Sequence, residues 1–178
     1  MAEIHLFWRV DMKFALALMF LAPVVSAAPV DVCFPRDGVK YFVSQWSEDG
    51  SSVATLSRVD GPKFSVQEGR VVYGEDLNGD GVKDSIFVSY DSAGSSKDLT
   101  YSFLVQCRGF LRSVGGDYFA DVKVLDSSSG DGSFKDIQIF SYDRDSRGNV
   151  KYKGDEALTT PHLWRFNPET KQYEGESK

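Results

Sequence analysis

The nonapeptide at residues 76–84 carries oxygen-bearing side chains at a spacing that suits a bound cation. These side chains stand at its first, third, fifth and ninth places. Gly81 stands at the sixth place, where a loop around a cation must turn sharply, and the seventh place of such a loop contributes a backbone carbonyl. The predicted metal ligands are the side chains of Asp76, Asn78, Asp80 and Asp84 and the backbone carbonyl of Val82.

Calcium is the cation that this donor set favours. Hard oxygen ligands in a flexible site of high coordination number suit Ca²⁺, whereas zinc prefers nitrogen and sulfur. Carboxylates crowded into one loop repel one another unless a cation neutralises them. We therefore expect Ca²⁺ to fix the loop, with a modest affinity of roughly 10⁻⁴–10⁻³ M, as in extracellular modules. The alternative is an Asx-rich turn that binds no metal.

The segment after the loop predicts a strand. Residues 85–90 alternate and are rich in β-branched and aromatic side chains, and Phe87 stands at the twelfth place, where a helix–loop–helix calcium site has a bidentate Glu. Other short alternating segments are separated by turn residues, without helical periodicity beyond a turn or two. The sequence predicts a single all-β domain at residues 28–178, built as a small sandwich or as open, blade-like antiparallel sheets.

Three local predictions accompany this fold. Residues 63–66 and 70–73 are expected to form a hairpin across residues 67–69. A second hairpin is expected at the end of the chain, with a turn at residues 167–170. Residues 156–158 could form one helical turn.

An internal repeat accounts for part of this pattern. Residues 79–91 and 130–143 share Gly-Asp-Gly, then Lys-Asp, then an apolar strand that ends in Ser-Tyr-Asp. A period of about fifty residues is typical of a blade-like β unit, and two such units, with residues 37–40 as a candidate third, are too few to close a propeller. In the second loop, Asp126 to Asp136, Lys135 stands at the ninth place, which favours a solvated turn over a metal site.

The first loop and its strand resemble the calcium-loop repeat of the FG-GAP/VCBS class, the integrin-like blade motif. The shared pattern is D-x-[DN]-x-D-G-x-x-D followed by an apolar strand. The resemblance implies the same five calcium ligands named above. It does not imply a full propeller or integrin-type ligand binding, because the Phe-Gly and Gly-Ala-Pro parts of the motif are absent.

The first 27 residues have the layout of a secretory signal peptide. Met12-Lys13 gives a short positive region, Phe14 to Val25 is an apolar run, and the small residues before Ala27 suit cleavage after it. A membrane anchor is the alternative, but the run is short for a span of ~20 residues. We expect a periplasmic or secreted protein without a stable membrane anchor after cleavage.

The two cysteines, Cys33 and Cys107, predict a disulfide in an exported chain. The bridge would tie the start of the mature chain to its middle. Two free buried thiols are the alternative. A redox-active pair is disfavoured, because the cysteines do not form a C-x-x-C motif.

The net charge and the absence of known catalytic motifs limit the classes of function that the sequence supports. The net charge of −6 disfavours nucleic acid as a partner and suits a basic protein or a cation. No nucleophile-elbow, zinc-protease or phosphate-loop motif occurs, and His162 is the only histidine after the leader. We therefore expect a non-enzyme. Candidate side chains for a binding face are the aromatic residues Trp46, Trp164, Tyr41, Tyr118, Tyr152 and Tyr173.

These expectations combine into one functional hypothesis, with two alternatives. The hypothesis is an exported calcium-loop β-protein that binds a macromolecular partner, as a periplasmic inhibitor or a toxin-immunity protein would. The first alternative is a secreted carbohydrate-active hydrolase that uses aspartates. The second is a structural or adhesive module derived from a repeat protein.

Overall fold

The computed structural model describes residues 30–48, 51–91, 98–126, 128 and 133–175. The predicted signal peptide lies outside this part of the chain, as do residues 127 and 129–132 of the second predicted loop. The described residues form strands and no helix, and so contain no helix that could cross a membrane. The strands are β1 (Lys40–Glu48), β2 (Ser51–Asp60), β3 (Lys63–Tyr73), β4 (Ser85–Ser89), β5 (Leu99–Cys107), β6 (Phe110–Gly115), β7 (Tyr118–Phe119), β8 (Asp121–Val124), β9 (Ile137–Tyr142), β10 (Tyr152–Lys153), β11 (Glu156–Ala157), β12 (Thr159–Asn167) and β13 (Gln172–Gly175).

The larger sheet closes into a ring of six antiparallel strands. Strands β1 to β6 pair in the order of the sequence, and β6 returns to β1 at Leu111 and Tyr41. β7 adds to β5 through the pairs Leu99–Phe119 and Thr100–Tyr118. Because side chains alternate along a strand, each strand of the ring presents one set inward and the other outward. The inward set forms a small core of Ala54, Leu56, Phe87, Leu104 and Leu111.

A second, four-stranded sheet packs against the outside of this ring. Its strand order is β13-β12-β9-β8, and the larger of the two cores lies beneath it. The rings of Phe134 and Phe166 stack within that core, with centroids 3.6 Å apart. The all-β, sandwich-like prediction is confirmed, with the larger sheet closed on itself. The ring contributes Ile86, Val88, Tyr101, Phe103, Val105 and Val114 to this core, and the second sheet contributes Ile137, Ile139, Phe166 and Tyr173.

The local predictions have mixed outcomes. The terminal hairpin is confirmed as β12 and β13. The hairpin across residues 67–69 is wrong, because β3 runs unbroken through Gly69. A Cβ on Gly69 would lie 2.0 Å from the Val88 carbonyl oxygen, so this glycine permits a close approach of β3 to β4 rather than a turn. The helical turn at residues 156–158 is also wrong, because Glu156–Ala157 forms β11.

Candidate functional site

The predicted calcium loop joins β3 to β4 and is organised by its own aspartates. The Asp76 carboxylate accepts hydrogen bonds from the backbone N–H groups of Asn78 (3.1 Å), Gly79 (2.7 Å) and Gly81 (2.7 Å). Both glycines have positive φ, 77° and 80°, a conformation that glycine adopts without strain. The chain is therefore wrapped around the first aspartate of the pattern.

The next two side chains of the pattern continue this wrapping. The N–H of Asp80 donates to Asn78 Oδ1 at 3.1 Å, and the N–H of Val82 donates to Asp80 Oδ1 at 2.7 Å. The Asn78 amide also donates to Asp80 Oδ2 at 3.1 Å. Asp80 and Val82 are solvent-exposed, so this side of the loop is open to an ion from solution.

Asp84, the ninth residue, has a different environment because it is almost fully buried. Its two carboxylate oxygens accept the N–H groups of Leu77 and Gln106, each at 2.8 Å. Burial raises the pKa of Asp84 to about 6, and although these two hydrogen bonds lower the pKa, the nearby carboxylates of Asp80 and Asp76 add to the rise. Asp84 thus ties the start of the loop to β5 in addition to its predicted role as a ligand.

The donor chemistry of the loop fits calcium, since all five predicted donors are oxygens. Within the described ranges, no three Asp, Glu, His or Cys side chains form a group that could hold a metal ion, so Asp76, Asp80 and Asp84 are not brought together as such a group. The predicted set draws two of its donors from elsewhere, namely the Asn78 amide and the Val82 carbonyl. Calcium binding by residues 76–84 therefore stays a prediction from the pattern and the loop geometry.

The two copies of the internal repeat contact each other. The N–H of Lys135 donates to the Leu77 carbonyl at 2.9 Å, and a Cβ on Gly79 would lie 3.0 Å from the Ser133 carbonyl oxygen. Asp84 and its repeat equivalent Asp136 are both buried. The two copies therefore share a buried aspartate at the start of the strand and lie in contact through their loops.

Lys135 stands where a metal site in the second loop would need a carboxylate, and its side chain is directed toward the first loop. Its Nζ donates to the Tyr73 hydroxyl at 3.2 Å, and this hydroxyl donates to the Asp76 carbonyl at 2.9 Å. The hydrogen bond to Tyr73 is the main cause of a raised pKa for Lys135. A fixed cationic side chain therefore supports the backbone of the calcium loop, a role that the sequence pattern did not reveal.

The predicted disulfide is present and forms the floor of a cleft beside this loop. Cys33 and Cys107 are bonded, with their Cα atoms 5.4 Å apart, so the alternative of two free thiols is wrong. The cleft has a volume of about 690 Å³. Three segments of the chain meet there: residues 31–36, the calcium loop at Asp80 and Val82, and residues 106–110.

The aromatic candidates separate into core and surface residues. Trp164 packs edge-on against Phe119, with ring centroids 5.1 Å apart, and Tyr173 is buried. Both therefore belong to the core. Three of the other candidates, namely Trp46, Tyr118 and Tyr152, have large exposed side chains.

No family model, curated protein or solved structure matches the chain. The resemblance to the FG-GAP/VCBS loop therefore rests on the residues of the first loop and on the repeat. Functional assignment has to start from the loop, the cleft and the exposed surfaces.

Proposed function

We propose that this chain is an exported, non-enzymatic protein that acts by binding a protein partner. A calcium-loaded loop and the disulfide stabilise its scaffold. Its specific form is a periplasmic inhibitor or toxin-immunity protein. The Cys33–Cys107 bridge supports an oxidising compartment, because structural disulfides persist in the periplasm and outside the cell.

The observation that carries this proposal is an apolar face on the outside of β1, β2 and β3. Phe42 lies opposite Ser57, which lies opposite Val66 on the next strand, and Val59 lies opposite Phe64. These residues alternate with the inward-facing set, so they point away from the ring. Among the described residues, the larger core takes none from β1 or β2, so the second sheet does not cover this face.

The exposed aromatic side chains on this face favour a protein interface. Phe42 is 41% exposed, Trp46 is 42% exposed and Phe64 is 67% exposed. Contiguous exposed apolar patches larger than a few hundred Å² are rare on monomers and often mark interaction sites. Aromatic anchors also contribute disproportionately to binding energy at protein interfaces. We call the outward surface formed by Phe42, Trp46, Val59, Phe64 and Val66 the uncovered face.

The calcium loop lies outside this face and acts on the scaffold. When bound, Ca²⁺ supplies the positive charge that offsets the clustered carboxylates of residues 76–84. Through Asp84 the loop is tied to β5, and through Leu77 it is tied to the second repeat. An ordered loop therefore supports the junction between the six-stranded ring and the second sheet.

The test of partner binding compares three forms of the mature protein as bait in a periplasmic extract of the source cells. These are wild type, the double variant Phe42→Ser/Phe64→Ser, and Tyr118→Ser as a matched control that removes an exposed aromatic residue on β7. We expect one protein to be retained by wild type and by the control, and to be lost with the double variant. Its direct binding is then measured with purified components.

Two results would contradict the proposal. One is equal retention of every captured protein by wild type and the double variant. The other is the absence of any retained protein at micromolar bait. Thermal melting serves as the folding check, because exposed substitutions are expected to change the unfolding free energy by only about 0.5 kcal/mol.

A further inference from the structure

Two arginines at the disulfide cleft have no acidic partner among the residues that the structure describes. Arg36 and Arg108 both line the cleft and both are solvent-exposed. In the described part of the chain neither side chain forms an ion pair or a hydrogen bond. Guanidinium groups bind carboxylates through paired, charge-assisted hydrogen bonds. The cleft therefore offers two free anchors for an anionic group.

The remaining walls of the cleft are largely apolar. The disulfide forms its floor, and Phe34, Val82 and Phe110 contribute apolar side chains. Phe34 is 65% exposed, which is unusual for phenylalanine. A volume of about 690 Å³ lies within the range of small-ligand sites, which combine apolar walls with a few polar anchors.

The carboxylates at the cleft are engaged by the protein itself. Asp31 accepts the N–H of Cys33 at 2.9 Å. Asp80 accepts the N–H of Val82 at 2.7 Å and the Asn78 amide at 3.1 Å. These bonds order the segments that carry the two carboxylates, and the two arginines supply hydrogen-bond donors at the rim.

Arg108 also has a conformation that its residue type disfavours. Cys107 pairs with Phe110, so Arg108 and Gly109 form a two-residue hairpin turn, and both have positive φ, 37° and 101°. Turns of this kind favour Asn-Gly or Asp-Gly. A non-glycine residue held in such a conformation suggests that its side chain serves a function that outweighs the local cost.

The segment that carries Arg36 and Phe34 is held in place by the side chains of Lys171 and Arg112, which are distant in sequence. Lys171 Nζ donates to the Asp31 carbonyl at 2.9 Å and to the Phe34 carbonyl at 3.0 Å. Arg112 donates to the Pro35 carbonyl at 2.8 Å and to the Asp37 carbonyl at 3.1 Å. Together with the disulfide, these contacts fix one wall of the cleft before any ligand arrives.

We propose that this cleft binds a carboxylate carried on an apolar body, with Arg36 and Arg108 holding the carboxylate and the disulfide, Phe34 and Phe110 packing the apolar part. The site is distinct from the uncovered face. It does not require the protein partner proposed above, and the predicted calcium loop forms one of its walls at Asp80 and Val82.

The test uses 3-phenylpropionate as probe and follows the backbone amide resonances of residues 108 and 109 by NMR. We expect saturable shifts with a dissociation constant of about 1–10 mM, as suits so small a ligand. Neither 3-phenylpropylamine, which reverses the charge, nor acetate, which lacks the apolar body, should shift these amides comparably. A peptide with adjacent Asp and Phe, capped at both ends, shows whether the natural carboxylate belongs to a protein or to a small molecule. Tighter binding of the peptide indicates a protein ligand, and tighter binding of 3-phenylpropionate indicates a small molecule.

Three variants separate binding from folding. Arg108→Asn places a favoured residue in the turn, so its melting temperature should be unchanged or higher while its affinity for the probe falls about tenfold. Arg36→Gln should lose a similar factor. Arg147→Asn, which removes an arginine with an 84% exposed side chain elsewhere, should bind as wild type does.

Any of three results would overturn the proposal. The first is unaltered probe affinity in the double variant Arg36→Gln/Arg108→Asn. The second is equal binding of the amine and the acid. The third is the absence of amide shifts at residues 108 and 109 up to about 10 mM probe. The titration is run once in calcium and once in calcium-free buffer, because Asp80 and Val82 of the predicted calcium loop line the cleft. A failure in both buffers is then distinguishable from a failure of the calcium prediction.

Discussion

Removal of the disulfide is expected to cost this fold a large part of its stability. The perturbation is the double variant Cys33→Ser/Cys107→Ala. Alanine is chosen at position 107 because Cys107 is only 1% exposed, and a buried serine hydroxyl there would add a cost of its own. Serine is suitable at position 33, where the side chain is only partly buried.

The magnitude follows from the length of chain that the bridge closes. The cysteines are 74 residues apart, and the chain-entropy model converts a loop of this length into about 4 kcal/mol of unfolding free energy. For a domain of this size, that loss corresponds to a fall in melting temperature of roughly 8–16 °C. The hydrogen bonds from Lys171 and Arg112 to residues 31–37 do not replace the bridge, because they lie at the exposed surface.

Urea unfolding of the oxidised wild type and the double variant measures this difference directly. We expect the transition midpoint to fall and the denaturant dependence to rise slightly, because an uncrosslinked chain exposes more surface. Single Cys33→Ser serves as a second form without the bridge and should show a comparable loss. A difference in unfolding free energy below about 1 kcal/mol would refute the role assigned to the bridge.

Two further predictions concern packing. Gly69→Ala should destabilise the protein by about 3 kcal/mol or more, because its Cβ would lie 2.0 Å from the Val88 carbonyl oxygen. Gly74→Ala is the control and should change the stability little, because its Cβ would have no atom nearer than 3.9 Å. Equal melting curves for the two variants would contradict this account of β3. Tyr173→Phe should lower the free energy of unfolding by about 1–2 kcal/mol, because the buried Tyr173 hydroxyl donates to the Lys135 carbonyl at 2.6 Å. Chemical denaturation measures this loss. An unchanged transition midpoint would show that the hydrogen bond contributes nothing to stability.

Much of the fold follows from local patterns in the sequence. Alternation and β-branched or aromatic residues predict β4, β12 and β13. β4 is buried on both faces, with Phe87 in the smaller core and Ile86 and Val88 in the larger one. Gly69 misleads a local interpretation, because glycine at a close approach of two backbones has the same sequence signature as glycine in a turn. The closure of the ring depends on the β6–β1 pairing between residues far apart in sequence, which periodicity does not encode.

The candidate sites also differ in whether neighbouring residues in the sequence are enough to predict them. The predicted calcium loop is contiguous, so its spacing alone predicts five donors and a turn at Gly81. The cleft is assembled from three separate segments, and nothing in the sequence places Arg36 near Arg108. One signal was available: Arg108 stands directly before Gly109, in the position where a two-residue hairpin turn favours Asn or Asp.

The melting temperature measured with calcium and with chelator tests most directly whether calcium stabilises this fold. At 10 mM Ca²⁺ and the affinity expected above, binding adds about 1.4–2.7 kcal/mol, or roughly 3–10 °C. Asp80→Ala should abolish the difference and spare the metal-free fold, because the hydrogen bonds of the Asp80 carboxylate to described residues lie within the loop. Asp155→Ala, an exposed control, should keep it. Identical wild-type melting curves in calcium and in chelator would contradict the account.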